Sequence, residues 1–202
     1  MAISKIVTNS VDSGVTLTSP TLVTPALGTP ASGVLTNCTG VAKAALPAGC
    51  VIQVVQSILT TTASVSGSTW QATGLTATIT PRSATNNILV SISCGAVGSG
   101  AQTTIGFEIY RGATAVGIGS VVGSRIATGF RMNTPADTNH CGGVSFDYLD
   151  SPATTSATVY SLYWQPSASQ TGYLNRNGAY ANSNEIYNST SASTIILYEV
   201  AA

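Results

Sequence analysis

Charge is scarce in this chain. Of its 202 residues only 7% are charged, with seven Lys or Arg balancing seven Asp or Glu, against about 25% in an ordinary soluble domain. A zero net charge without a Lys/Arg cluster leaves nothing to neutralise phosphates, so no nucleic-acid partner is expected. No apolar run approaches the ~20 residues that span a bilayer, and membrane insertion is not expected. The opening "MAISKIVTNS" lacks the apolar core of a signal peptide, which points to synthesis in a cytoplasm. There is one histidine, His140, and four cysteines, Cys38, Cys50, Cys94 and Cys141. None forms the short-spaced pairs of a zinc site, so no metal or cofactor is expected and the cysteines read as buried free thiols.

Runs of helix formers are also missing. Instead, Thr, Ser, Ala, Val and Ile dominate, 44% of residues are hydrophobic, and there are 20 glycines. That mixture favours strands and is too apolar for a charged disordered chain.

Residues 17–31, "LTSPTLVTPALGTPA", are three copies of one pentad. Leucine recurs at Leu17, Leu22 and Leu27, and proline at Pro20, Pro25 and Pro30. Three prolines exclude a helix, at about 3 kcal/mol each, and push the preceding residues into the extended region. An odd period also cannot keep the leucines on one face of a strand. Two readings remain open. The stretch is an extended arm lying in a groove on another chain, or a strand wound around copies of itself. Residues 1–49 are accordingly read as an N-terminal attachment or trimerisation arm, with "GVAKAAL" as its one short helical turn.

Residues 50–202 alternate short strands with turn signals. Expected strands are Val51–Leu59, Trp70–Thr80, Asn87–Cys94, Thr104–Arg111, Ala115–Val122, Gly142–Asp150, Ser156–Gln165, a short piece near Tyr173, and Ser193–Ala201. Strict alternation at Ile88, Val90, Ile92 and at Ile105, Phe107, Ile109 marks half-buried strands. The fold class is all-β, a jelly-roll-like β-sandwich. The final strand must insert among earlier ones.

No catalytic residues are assigned. "LDSP" places Asp150 in turn chemistry, with Asp147 beside it as the only other candidate for a carboxylate pair. Alternation sends Glu108 to the outer, wet face. Glu199 is expected to pair with Arg125 or Arg131. No nucleophile elbow surrounds any serine, so His140 makes no triad. Binding is better supported. The stretch 165–188 concentrates Tyr173, Arg176, Tyr180, Tyr187 and several Asn, the composition of an adaptable recognition loop. Packing against a neighbouring protomer is the alternative use.

"TLVTPALGTPASGVLTNCTG" resembles a segment near the start of bacteriophage tail-fibre and related virion appendage proteins. "RGATAVGIG", "DYLDSPATTSATVYSLYW", "YLNRNGAY" and "STIILYEVA" resemble a C-terminal β-domain of such proteins. The resemblance implies a virion protein, a homotrimer, with an attachment segment that binds other virion proteins and a distal knob that meets a host surface glycan or protein. A head-decoration or tail-adaptor role is the alternative. A polysaccharide-degrading spike is disfavoured by the missing solenoid period.

Overall fold

Alternation of inward apolar and outward polar residues builds the strands. The structure is a computed structural model, described here for residues 46–167 and 169–202. The pentads, with Leu17, Pro20, Leu22, Pro25, Leu27 and Pro30, the "GVAKAAL" turn and Cys38 all fall outside or at the margin of that range. Eleven strands follow in order: β1 Val51–Leu59, β2 Ala63–Ser66, β3 Gln71–Ile79, β4 Asn87–Ser99, β5 Thr103–Arg111, β6 Thr114–Val116, β7 Phe130–Thr134, β8 Cys141–Asp150, β9 Thr158–Pro166, β10 Thr171–Leu174 and β11 Ser193–Val200.

All strand pairings are antiparallel and form two sheets. In the six-stranded sheet β11 lies between β1 and β4. Both β11 and β8 pair with Ile88–Cys94 of β4, so they occupy its opposite edges. The far end of β4 pairs with β10, which pairs with β2. In the five-stranded sheet β9 lies between β3 and β5, and β6 and β7 share the far edge of β5. With β2 and β10 set aside and β6 and β7 taken as one edge, eight strand positions remain. The first sheet then holds the first, eighth, third and sixth strands, and the second holds the second, seventh, fourth and fifth. That is the jelly roll.

The inner faces meet in one core. Ile88, Val90, Ile92, Ile195 and Leu197 from the first sheet pack against Leu75, Ile79, Ile105, Phe107, Tyr160, Leu162 and Trp164 from the second. Glycine lets another segment cross β4 closely: a Cβ on Gly98 would lie 2.9 Å from the Arg176 carbonyl oxygen.

Several expectations are corrected. Ala115–Val122 is a strand only to Val116, because Gly117 turns the chain with φ +65°. Cys94 is buried but Cys141 is exposed. It opens β8 at the sheet edge, where its side chain points outward. Glu108 does face outward, yet it is only 3% exposed, because the segment after β6 returns across the outer face and Gly129 N–H donates to the Phe107 carbonyl. Glu199 meets neither Arg125 nor Arg131. Its Oε1 accepts from the Arg82 backbone N–H at 2.6 Å and from Asn86 Nδ2 at 2.7 Å, while its other oxygen has no partner among the described residues. Asp150 is no turn residue: it is buried and joins the two sheets through Arg111 and Tyr160.

Candidate functional site

The segment 175–192 that joins β10 to β11 contains most of the recognition residues expected from sequence. Asparagine side chains hold it. Asn175, in the left-handed region at φ +61°, donates from Nδ2 to the Leu59 and Thr61 carbonyls and accepts from Ser193 Oγ. Asn177 accepts from the Tyr180 N–H and donates to the Tyr187 carbonyl and Asn188 Oδ1. Both asparagines are fully buried. Backbone N–H groups of Gly178 and Ala179 donate to the Thr138 carbonyl. Gly178 admits no side chain, since a Cβ there would overlap the Ser99 carbonyl oxygen. A segment pinned at so many points is preorganised, which lowers the ordering cost of binding.

Three of the four expected residues come together. The Arg176 guanidinium carbon lies 3.7 Å from the centroid of the Tyr173 ring and 4.4 Å from that of Tyr180. The two rings hold the cation by attraction to their π faces, and Tyr180 remains 48% exposed. Tyr187 is equally exposed but sits apart, in a 3₁₀ turn over Ile186–Asn188. Its backbone, not its ring, is tied to Asn177. The β2–β10 pair, the 135–140 turn and the Gly100 turn, whose N–H donates to Thr171, gather at the same end of the sandwich.

The carboxylates do not form a catalytic pair. Asp150 accepts from Arg111 Nη1 at 2.8 and 2.9 Å and from the Tyr160 hydroxyl at 2.6 Å. Asp147 points outward on β8, while Asp150 points into the sandwich. His140 Nδ1 lies 2.8 Å from Asp137 Oδ2, both exposed, and Asp137 also accepts from the Asn139 N–H. That is a turn at the sandwich end, and no serine hydroxyl bonds the His140 ring among the described residues. No cluster of three metal-ligating side chains occurs among them either.

Sequence reasoning gave no site role to a groove on the outer face of the five-stranded sheet. Trp70, Gly106, Arg125, Thr128, Arg131 and Gln165 line it. The one sequence signal was Gly106 inside "TIGFEIYR", an outward glycine between two inward apolar residues, where a close neighbour above the strand is implied.

No protein-family model matches the sequence, and neither does any curated protein. Among solved structures, a chain in the structure of infectious bursal disease virus, Gx strain, is similar with a TM-score of 0.39 and 14% identity. The match covers 82% of this chain and 42% of that one.

Proposed function

We propose that this protein is a structural component of a bacteriophage virion, a trimeric tail fibre whose jelly roll is a distal knob in host-cell attachment. The observation that carries this reading is the pinned recognition segment at one end of the sandwich, with Arg176 held between Tyr173 and Tyr180. Aromatic rings and amides at a rigid loop end suit contact with surface sugars or protein. Three copies on one axis would add avidity to weak single contacts. Jelly rolls recur in viral capsid and lectin domains, and a surface of hydroxyls and amides with few charges suits an extracellular particle. The pentads at Leu17, Leu22 and Leu27 fasten the chains to one another or to the particle.

A purely structural role, in head decoration or as a tail adaptor, has its own supporting observation. On the outer face of the six-stranded sheet Val54, Tyr198, Leu89 and Leu149 stand opposite one another across β1, β11, β4 and β8. Val54 and Leu149 are more than half exposed. Such a band suits a contact with a neighbouring subunit.

Gold-labelled antibody against residues 50–202, imaged on intact particles, separates the readings. Label at fibre tips supports attachment. Label over the head overturns it in favour of decoration. Replacing Leu22 and Leu27 with Ser should abolish incorporation into the particle if the pentads are the assembly device.

A further inference from the structure

The groove on the five-stranded sheet has a defined construction. Its floor is the outward face of β5 and β9 at Thr104, Gly106 and Gln165, with Arg131 on β7 opposite Gly106. One wall is Ser68 and Trp70, leading into β3. The other is Arg125, Ile126 and Thr128, from the segment between β6 and β7. The free volume is about 550 Å³, which suits one or two sugar rings rather than a side chain. Gly106 makes the cradle possible. A Cβ there would stand 3.0 Å from the tip of the Trp70 ring and 3.2 Å from the Thr128 methyl. Gln165 Nε2 donates to the Ser68 carbonyl, tying the Trp70 wall to the floor.

The charge of this groove stands out against the chain. Five arginines lie among the described residues, at 82, 111, 125, 131 and 176. Two of them line the groove, and no acidic residue does. Arg111 is paired with Asp150 and Arg176 is stacked on tyrosines. By contrast, neither Arg125 nor Arg131 makes a side-chain hydrogen bond or ion pair among the described residues. Glu108, the nearest outward acid along β5, is covered and faces Tyr110. Two free guanidinium groups beside an indole and a carboxamide match one ligand chemistry. A sugar ring would lie against Trp70, its hydroxyls would meet Gln165 and Thr104, and a ring carboxylate would bridge the arginines.

We infer that this groove binds an acidic saccharide, a hexuronate-type sugar of a polysaccharide. The assignment rests on the attachment reading for its biological role, and it adds a receptor contact on the sheet face to that of the tyrosine loop. Calorimetric titration of the full chain with pectate, alginate and hyaluronan oligomers tests it, each paired with its carboxyl-reduced form. At least one acid form should bind, and carboxyl reduction should weaken it by about tenfold or more, as loss of a charge-assisted bond does. Added salt should weaken it as well. Arg125→Gln with Arg131→Gln should produce the same loss. Both side chains are exposed and unpaired, so this variant keeps the fold. Gly106→Val, which pushes the Trp70 ring and the Thr128 methyl out of place, should abolish binding of acid and reduced forms alike.

Absence of binding by every acid oligomer overturns the inference, as does equal binding of acid and reduced forms. A changed oligomeric state in the double arginine variant, with saccharide binding intact, also overturns it and makes the groove a subunit contact. Competition with phage adsorption separates the two layers. Equal competition by wild type and double variant refutes the groove as the receptor contact and leaves attachment standing. Arginine-dependent saccharide binding without any competition upholds the groove and refutes attachment.

Discussion

The Tyr160 hydroxyl, on the five-stranded sheet, donates to Asp150 Oδ2 on the six-stranded sheet at 2.6 Å. Arg111 closes the same carboxylate from the other side. The three side chains form a polar clasp between the sheets at one end of a dry core. Removing Asp150 leaves a buried hydroxyl and a half-buried cation without their partner. Asp150→Ala should cost about 3 kcal/mol, and Tyr160→Phe about 1 kcal/mol. Urea denaturation of the purified variants checks both, and equal stability of Asp150→Ala and wild type would refute the clasp.

Alkaline pH should loosen the fold before it titrates the core. Burial pushes the Cys94 thiol up to about 11 from an ordinary value of 9.0, and a hydrogen bond with Ser193 partly offsets this. The Tyr160 hydroxyl is raised as well, first by burial and then by the neighbouring Asp150 carboxylate. In both groups the folded state holds its proton more tightly than the unfolded chain. The Cys94 contribution is therefore complete below pH 9 and is lost as pH rises towards 11, whereas that of Tyr160 is complete below its ordinary value of 10.0 and declines only above it. Unfolding midpoints measured from pH 7 to 11 should fall steadily over the upper part of that range. Cys94→Ala should flatten the fall.

Glu108 predicts a gain. Its carboxyl is raised by burial, with the Tyr110 hydroxyl acting the other way. Its stabilising form is the protonated one, present below the usual carboxylate range and lost as pH rises. Glu108→Gln should then raise the thermal midpoint at neutral pH and leave it nearly unchanged below the usual carboxylate range, read by differential scanning calorimetry.

Much of the sandwich was legible in the sequence because inward apolar residues recur with period two there. "NILVSISC" and "TIGFEIYR" alternate without a break, and β1, β5, β8, β9 and β11 begin and end within two residues of expectation. Two strands were missed for a common reason. Ala63–Ser66 is four residues long and Phe130–Thr134 five, and neither carries enough alternation to be seen. The buried acids were missed because alternation predicts a face and not what lies over it. Glu108 is outward but roofed by a distant segment, while Glu199 and Asp150 are inward at strand ends, where backbone or side-chain donors from other elements meet them. The groove escaped for the same reason: Trp70, just before β3, meets Gly106 of β5 and Arg131 of β7 only in the folded sheet.

The recognition segment makes a separable prediction. Asn175 supplies three side-chain hydrogen bonds from a left-handed backbone conformation. Asn175→Ala should cost about 3 kcal/mol, since several buried partners lose their bonds at once. Arg176→Ala should cost about 1 kcal/mol or less in stability. If the tyrosine loop contacts the receptor, Arg176→Ala should also weaken competition with phage adsorption while leaving the urea midpoint nearly unchanged.

Deletion of Ser193–Val200 should abolish folding, because β11 is hydrogen-bonded on both edges. Far-ultraviolet circular dichroism of the shortened chain should show no cooperative transition.

The pairing of Val51 with Val200 also sets a timetable. The first strand of the sandwich has no permanent neighbour in its sheet until the last one arrives, so the sheet cannot close before Ser193–Val200 has been made. Closure must join segments separated by almost the whole domain, and contacts of such range make folding slow. In the interval β1 presents Val54, Ile58 and an open row of backbone donors and acceptors, the surface on which identical chains at high local concentration would pair wrongly.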